Sequence, residues 1–228
     1  MTIIDHIHAL QRSIIDTAQE AHRDPKSITL LAVSKGHSTD QIQEAFEAGL
    51  QHMGENYLKE ALLKQKILSA LPLCWHFIGP IQSTKAARIA EHFSWVHTIS
   101  NLNVAEKLSR SRPSTLPPLN ICIQVNLDKE TTKSGVTEET IRSLIQSLLL
   151  LPRLHLRGLM LIPKQTEDEQ AQMLSFLRLT RLLSVLNQDH HIDMDTLSMG
   201  MSQDYKAAIR AGSTLIRLGT AIFGRRGS

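Results

Sequence analysis

The sequence predicts a single closed (β/α)8 barrel of the TIM type, preceded by one extra helix. Three observations carry this expectation. Strand-like and helix-like segments alternate along the chain, eight of them are strand-like, and no low-complexity linker divides the 228 residues. Strands separated by helices pair in parallel, because a parallel connection needs a crossover. Eight such units are what a closed barrel requires, although an open doubly wound sheet is a rival that the same count permits. One domain spanning residues 1–228 is expected.

The first element is a helix, because Ile3, Ile4, Ile7, Leu10, Ile14, Ile15 and Ala18 recur at three- and four-residue spacing up to a stop at Pro25. Strands are then expected at 28–34, 52–55, 75–78, 95–98, 120–126, 155–161, 196–198 and 215–218. Helical patterns fill the gaps. In STDQIQEAFEAG, Ser38 or Thr39 can cap the first turn, Ile42, Ala45 and Phe46 share a face, and Gly49 ends the helix. The longer TEDEQAQMLSFLRLTRLLSVLN carries acids in its first turn, where they suit the helix dipole. SRSRPSTLPP reads as a loop between two repeat units.

Composition excludes several classes. No apolar run approaches the length that crosses a bilayer, and Asp5, Arg12 and Asp16 interrupt the N-terminal segment where a secretory signal would be unbroken. A soluble cytoplasmic protein with no membrane partner is therefore expected. Cys74 and Cys122 form no C-x-x-C pair, so neither a disulfide framework nor a cysteine zinc site is suggested. A net charge of +3, scattered Lys and Arg, and 4% aromatics give no footprint for nucleic acid. There are eleven histidines, but no H-E-x-x-H occurs and His6/His8 and His190/His191 sit in polar surroundings, so no metal site is expected.

A barrel carries its site at the C-terminal ends of its strands, and Lys35, Asn56, Gly79, Asn126, Gly200 and Gly219 fall at or just past those ends. Lys35 stops the run TLLAVSK. Set in the barrel mouth with its stem on apolar walls, such a lysine loses hydration, its pKa falls from about 10.4, and the neutral amine can attack an aldehyde or ketone. A strand-end lysine reaching solvent is the bland alternative. The segment LSMGMSQDYKAAIRAGSTLIRLGTAIFG adds Ser202, Gly219 and Thr220 beside the last two strand ends, where barrels recurrently bind phosphate. Here the plainer reading makes the glycines tight turns and Ser202 the cap of a helix over 203–211. Alternation within LIRLG points Arg217 into the barrel if Ile216 and Leu218 face the helices, so Arg217 should meet either a carboxylate or a ligand acceptor. An aldehyde-reactive lysine, a phosphate cradle and an inward arginine describe a site for pyridoxal 5′-phosphate. They also describe, less completely, a Schiff-base aldolase acting on a phosphorylated sugar.

Over nearly its whole length the chain resembles the pyridoxal phosphate homeostasis protein family, which is similar to the barrel domain of bacterial alanine racemase. The segments that carry the resemblance are LLAVSK, GENYLKE, WHFIGPIQSTKAARI, QVNLDKETTKSG, LRGLMLIP and LSMGMSQDYKAAIRAGSTLIRLGTAIFGRR. It implies that Lys35 holds the cofactor as an internal aldimine, that Arg217 faces the pyridine nitrogen, and that Ser202, Gly219 and Thr220 bind phosphate. Asn56, His76 and Met199 are carried over as further neighbours of the cofactor. The chain departs from the family pattern at Ile81 and Thr84 in IGPIQSTK and at Gly36-His37 after the lysine. The implied function is a cofactor-holding protein of intracellular vitamin B6 homeostasis, with apo forms of pyridoxal phosphate enzymes as partners, no catalytic residues and a monomeric state. An amino-acid racemase is the alternative; it needs a second base, and Tyr57 and Tyr205 are the only tyrosines.

Overall fold

The computed structural model describes residues 2–128, 134–164, 166 and 168–224. The KETTK stretch at 129–133, within the quoted QVNLDKETTKSG, and the closing 225–228 lie outside the described residues. Strands β1 (Thr29–Val33), β2 (His52–Glu55), β3 (Cys74–Phe77), β4 (Trp95–Ile99), β5 (Leu119–Val125), β6 (Leu154–Leu161), β7 (Thr196–Ser198) and β8 (Leu215–Leu218) close a barrel in chain order. Pairing of β1 with β8, from Thr29↔Leu215 to Ala32↔Leu218, rules out the open sheet. All the strand pairs are parallel.

Helices α1 (Ile3–Glu20), α2 (Thr39–Glu47), α3 (Leu58–Ile67), α4 (Ala86–His92), α5 (Leu102–Ser111), α6 (Ile141–Leu148), α7 (Glu169–His190), α8 (Tyr205–Arg210) and α9 (Thr220–Phe223) surround it. Helix α1 starts on a capping box between Thr2 and Asp5 and buries Ile7, Leu10, Ile14 and Ala18, while Ile4 and Ile15 at the edges of the apolar face stay exposed. It stops at Ala21, short of Pro25, because His22 adopts a left-handed conformation. Ser38, not Thr39, caps α2, in a second capping box with Gln41. The proline-rich loop after α5 is stapled by two guanidinium groups. Arg112 donates to the carbonyls of Ala90, Phe93 and Pro117, and Arg153 to those of Pro113 and Leu116.

Alternation along each strand sends one set of side chains outward into the layer beneath the helices, where Phe77, Phe93, Ile89, Leu108 and Phe176 are fully or almost fully buried. The other set fills the barrel, where a polar line runs among apolar side chains such as Leu31 and Ile78. His52 and His76 lie 2.9 Å apart (Nδ1 to Nε2), His76 and His97 2.9 Å apart (Nδ1 to Nε2), and His97 Nδ1 lies 2.7 Å from Ser198 Oγ. Arg217 ends the chain by donating to Ser198 Oγ at 2.8 Å. A buried polar group is tolerated only with hydrogen-bond partners, and this line of five side chains supplies them across the barrel.

Candidate functional site

Lys35 follows β1 by two residues, in a tight turn in which Gly36 has φ +75°. A buried ion network holds that turn. Lys64 of α3 donates to Glu55 Oε1 at 2.7 Å, to the Ser34 carbonyl at 2.7 Å and to Glu60 Oε1 at 2.6 Å. Glu60 in turn accepts from the Gly36 N–H at 2.6 Å, and Ser34 Oγ donates to Glu55 Oε1 at 2.6 Å. The backbone on both sides of Lys35 is thereby tied to α3 and β2, so the half-buried lysine is carried on a fixed platform.

A cavity of about 600 Å³ opens at the C-terminal end of the barrel and brings together Lys35, Asn56, Ser202, Arg217, Gly219 and Thr220. Its size is that of a small-molecule site. The other two residues carried over lie elsewhere. His76 is the third residue of β3, so its side chain points into the barrel below the mouth and joins the histidine line. Met199 follows Ser198, which faces inward; its own side chain turns outward and is fully buried in the core. Neither lines the cavity.

Arg217 is 6% exposed and points inward, as alternation requires. It donates to the Ser198 and Leu161 carbonyls and to Ser198 Oγ, and among the described residues no carboxylate comes within ion-pair distance of it. Burial lowers its pKa to about 10, with the Asp204 charge acting the other way, so it remains a cation at neutral pH. A guanidinium held by carbonyls and facing a cavity attracts an acceptor or an anion. Asp204 also lines the cavity. Burial raises its carboxyl pKa, and it accepts from the Met201 N–H at 2.5 Å. It occupies the N-cap of α8, which starts at Tyr205, so Ser202 does not cap that helix; Ser202 lines the cavity.

Gly219 is the N-cap of α9, and a Cβ built on it would lie 3.2 Å from the Val33 carbonyl oxygen, which places the end of β8 against the end of β1. First-turn N–H groups of a helix have no intrahelical acceptor, so the Gly219–Thr220 corner offers donors beside Ser202. Asn56 Oδ1 is buried with no hydrogen-bond partner. The same residue lines a second recess of about 300 Å³ with Thr98, Gln124 and Asn126. Beneath Asn56 a Cβ on Gly79 would sit 2.1 Å from the Asn56 carbonyl oxygen. Gly79→Ala is therefore expected to cost about 1–3 kcal/mol by overpacking, because backbone has to move. Urea unfolding of the variant checks this, and an unchanged midpoint would contradict it.

Sequence reasoning missed His37, Met160, Pro163, Lys164, Thr166 and Gln172 among the lining residues. Four of these six follow β6, and of them Thr166 and Gln172 fall within the expected helix TEDEQAQMLSFLRLTRLLSVLN; that helix begins at Glu169 behind an Asp168 cap. The run RGLMLIP, ending at the sixth strand end, was the signal available. The histidine line was also missed, since its members come from different strands.

The chain matches the alanine racemase N-terminal domain family over residues 8–227. It is 51% identical over 225 residues to a Pseudomonas aeruginosa protein named pyridoxal phosphate homeostasis protein, a match covering 99% of this chain and 96% of the relative. An Escherichia coli protein of the same name is 43% identical, with 98% and 97% covered. PipY of Synechococcus elongatus, solved with pyridoxal phosphate bound, superposes with a TM-score of 0.87 at 34% identity, covering 98% of this chain and 100% of PipY. Alanine racemase of Corynebacterium glutamicum shares the fold, with a TM-score of 0.69 at 17% identity; 99% of this chain is covered but 62% of the racemase. By sequence identity along its whole length, the chain belongs to the pyridoxal phosphate homeostasis protein family.

Proposed function

We propose that the chain binds pyridoxal 5′-phosphate in the mouth of the barrel, holds it on Lys35, and serves vitamin B6 homeostasis without turning over a substrate. The observation that carries this reading is one cavity joining a primary amine, Lys35, to a buried guanidinium, Arg217, which among the described residues is held by carbonyls and a hydroxyl. The names of the relatives and the cofactor bound in PipY support it. The residues present fit the group, since the orphaned Asn56 Oδ1 needs a polar partner and the Ser202, Gly219 and Thr220 corner suits an anion. Bound there, pyridoxal phosphate supplies an aldehyde that condenses reversibly with a primary amine.

Lys35 provides that amine from a turn locked by Lys64 and Glu60. Arg217 donates and cannot accept, so a ring nitrogen facing it stays unprotonated and the ring is a weak electron sink. Such a site holds the cofactor and does little to labilise a substrate proton. The tyrosines support the same reading. Tyr57 is 62% exposed, Tyr205 Oη is hydrogen-bonded to Ser13 Oγ at 2.9 Å, and neither lines the cavity. No described helix is long and apolar enough to cross a membrane. A cytoplasmic monomer that passes the cofactor to apo-enzymes completes the proposal.

The test begins with colour. Purified chain should be yellow, and borohydride should fix the cofactor on Lys35, read by peptide mass spectrometry. Lys35→Ala should lose the colour and retain far less cofactor; equal colour and retention would defeat the assignment. A colourless wild type that accepts pyridoxal phosphate poorly would favour the aldolase. Turnover of any L-amino acid beyond one equivalent, by chiral analysis, would overturn the non-catalytic part.

A further inference from the structure

The opposite end of the barrel carries a second group of reactive side chains, which the cofactor site does not use. His52 opens β2, Cys74 opens β3, and His76 follows on the same inward face of β3, with His52 and Cys74 in register as strand neighbours. One ligand atom from each lies within 4.8 Å of the other two. We propose that His52 Nδ1, Cys74 Sγ and His76 Nε2 bind a single zinc-class transition-metal ion at this floor of the barrel.

Distances and chemistry both support the site. A tetrahedral zinc with bonds of about 2.0 Å to nitrogen and about 2.3 Å to sulfur holds nitrogen and sulfur about 3.5 Å apart and two nitrogens about 3.3 Å apart. Cys74 Sγ and His76 Nε2 are 3.5 Å apart, and His52 Nδ1 and His76 Nε2 are 2.9 Å apart. The two nitrogens therefore need to separate by a few tenths of an ångström, and half-buried His52, at a strand end, can give that. Two imidazoles and a thiolate form a borderline-soft donor set that selects zinc-like ions over magnesium or calcium. Three protein ligands leave a fourth position for water, and the half-buried state of His52 and Cys74 leaves a way in.

The support behind the ligands is already built. His76 is stacked on Trp95 at 5.4 Å with an interplanar angle of 10°, and its other nitrogen is hydrogen-bonded to His97. A ligating histidine characteristically donates its second N–H to a fixed partner. Binding through Nε2 makes His76 donate from Nδ1 to His97 Nε2, and His97 then donates from Nδ1 to Ser198 Oγ. The nearby Arg157 cation lies over Trp95 and is paired with Asp195 at 2.6 Å, which offsets its repulsion of an incoming ion. The step balances simply. The thiol loses one proton to solvent as the sulfur–metal bond forms, and each imidazole stays neutral with its one proton on the nitrogen that does not ligate.

The test is titration of the reduced full chain with Co²⁺, followed as a difference spectrum, with Zn²⁺ as competitor. One equivalent should give a thiolate-to-cobalt charge-transfer band and visible ligand-field bands, and one equivalent of Zn²⁺ should abolish them. Cys74→Ser should remove the charge-transfer band. His52→Asn should keep it but weaken binding by about tenfold or more, the least expected when loss of a supporting partner alone costs that much. Zn²⁺ should also protect one thiol from a disulfide reagent. Circular dichroism of each variant separates misfolding from lost ligation, and Cys74→Ser and His52→Asn change half-buried positions in different strands. Absence of the charge-transfer band in the wild type, or its persistence in folded Cys74→Ser, overturns the proposal. None of these readouts depends on pyridoxal phosphate.

Discussion

Lys64→Met should destabilise the chain by about 3–5 kcal/mol, the usual penalty for stranding one charge of a buried pair. Lys64 and Glu55 are almost wholly enclosed, and Glu55 Oε2 already has no partner. Removing the ammonium strands a carboxylate whose pKa burial raises, against the lowering effect of Lys64 and Ser34. A raised carboxyl pKa means that the native state binds more protons than the unfolded one, so stability falls as pH rises through the folded pKa. Without Lys64 that pKa rises further, and the deficit should be smaller near pH 5 than near pH 8. Pairing Lys64→Met with Glu55→Gln should recover most of the loss. Because Lys64 also positions Glu60, which accepts from Gly36, the single variant should hold pyridoxal phosphate less firmly. Urea unfolding at both pH values measures the effect, and a wild-type midpoint in Lys64→Met would refute it.

The histidine line should make the chain acid-sensitive. Burial drives the pKa of His97 down to about 3, with the Arg217 charge adding to the effect, and burial with the neighbouring His97 and His52 holds His76 well below its ordinary value. Both are neutral in the folded chain at neutral pH. Below about pH 6.5 the unfolded chain takes up protons that the folded chain refuses, so stability is full above that pH and falls as pH drops towards 3. His97 alone contributes a slope of about 1.4 kcal/mol per pH unit, or about 5 kcal/mol over the window. His97→Gln should flatten the curve between about pH 4 and 6 by that slope, whatever it does to stability at pH 7. Unfolding free energies measured at intervals across the range decide it, and parallel curves for variant and wild type would rule it out.

Much of the molecule is legible in the sequence. The alternation of elements predicted the barrel, and the strand bounds 52–55, 196–198 and 215–218 agree with β2, β7 and β8. Others moved by a residue because strand ends depend on the register of their neighbours: β3 begins at Cys74 since the Cys74 N–H pairs with the Gln51 carbonyl. Strand-end position for Lys35, Asn56 and Gly219, and alternation for Arg217, point to residues that line one mouth. His76 and Met199, expected as neighbours of the cofactor, do not line the cavity, because depth along a strand, and which way the pleat faces at its end, are not visible in a motif. Thr166 was hidden in the lining after β6 because the helix-like TEDEQAQ runs ahead of the observed start at Glu169, and Pro163 and Lys164 carry no periodic signal of their own.

What the sequence determined by itself was periodic and local: the parallel barrel, a lysine at a strand end, an inward arginine and the glycine-rich rim, because period-two and period-3.6 patterns and turn chemistry act between near neighbours in the chain. Only the tertiary structure decided what closure of the barrel brings together. It sets Lys64 and Glu55 under the Lys35 turn and gives Arg217 two carbonyls and the Ser198 hydroxyl as partners. It also aligns His52, His76 and His97 on the neighbouring strands β2, β3 and β4 and carries that line across the barrel to Ser198 and Arg217, because inside one closed wall every inward polar side chain must find its partner.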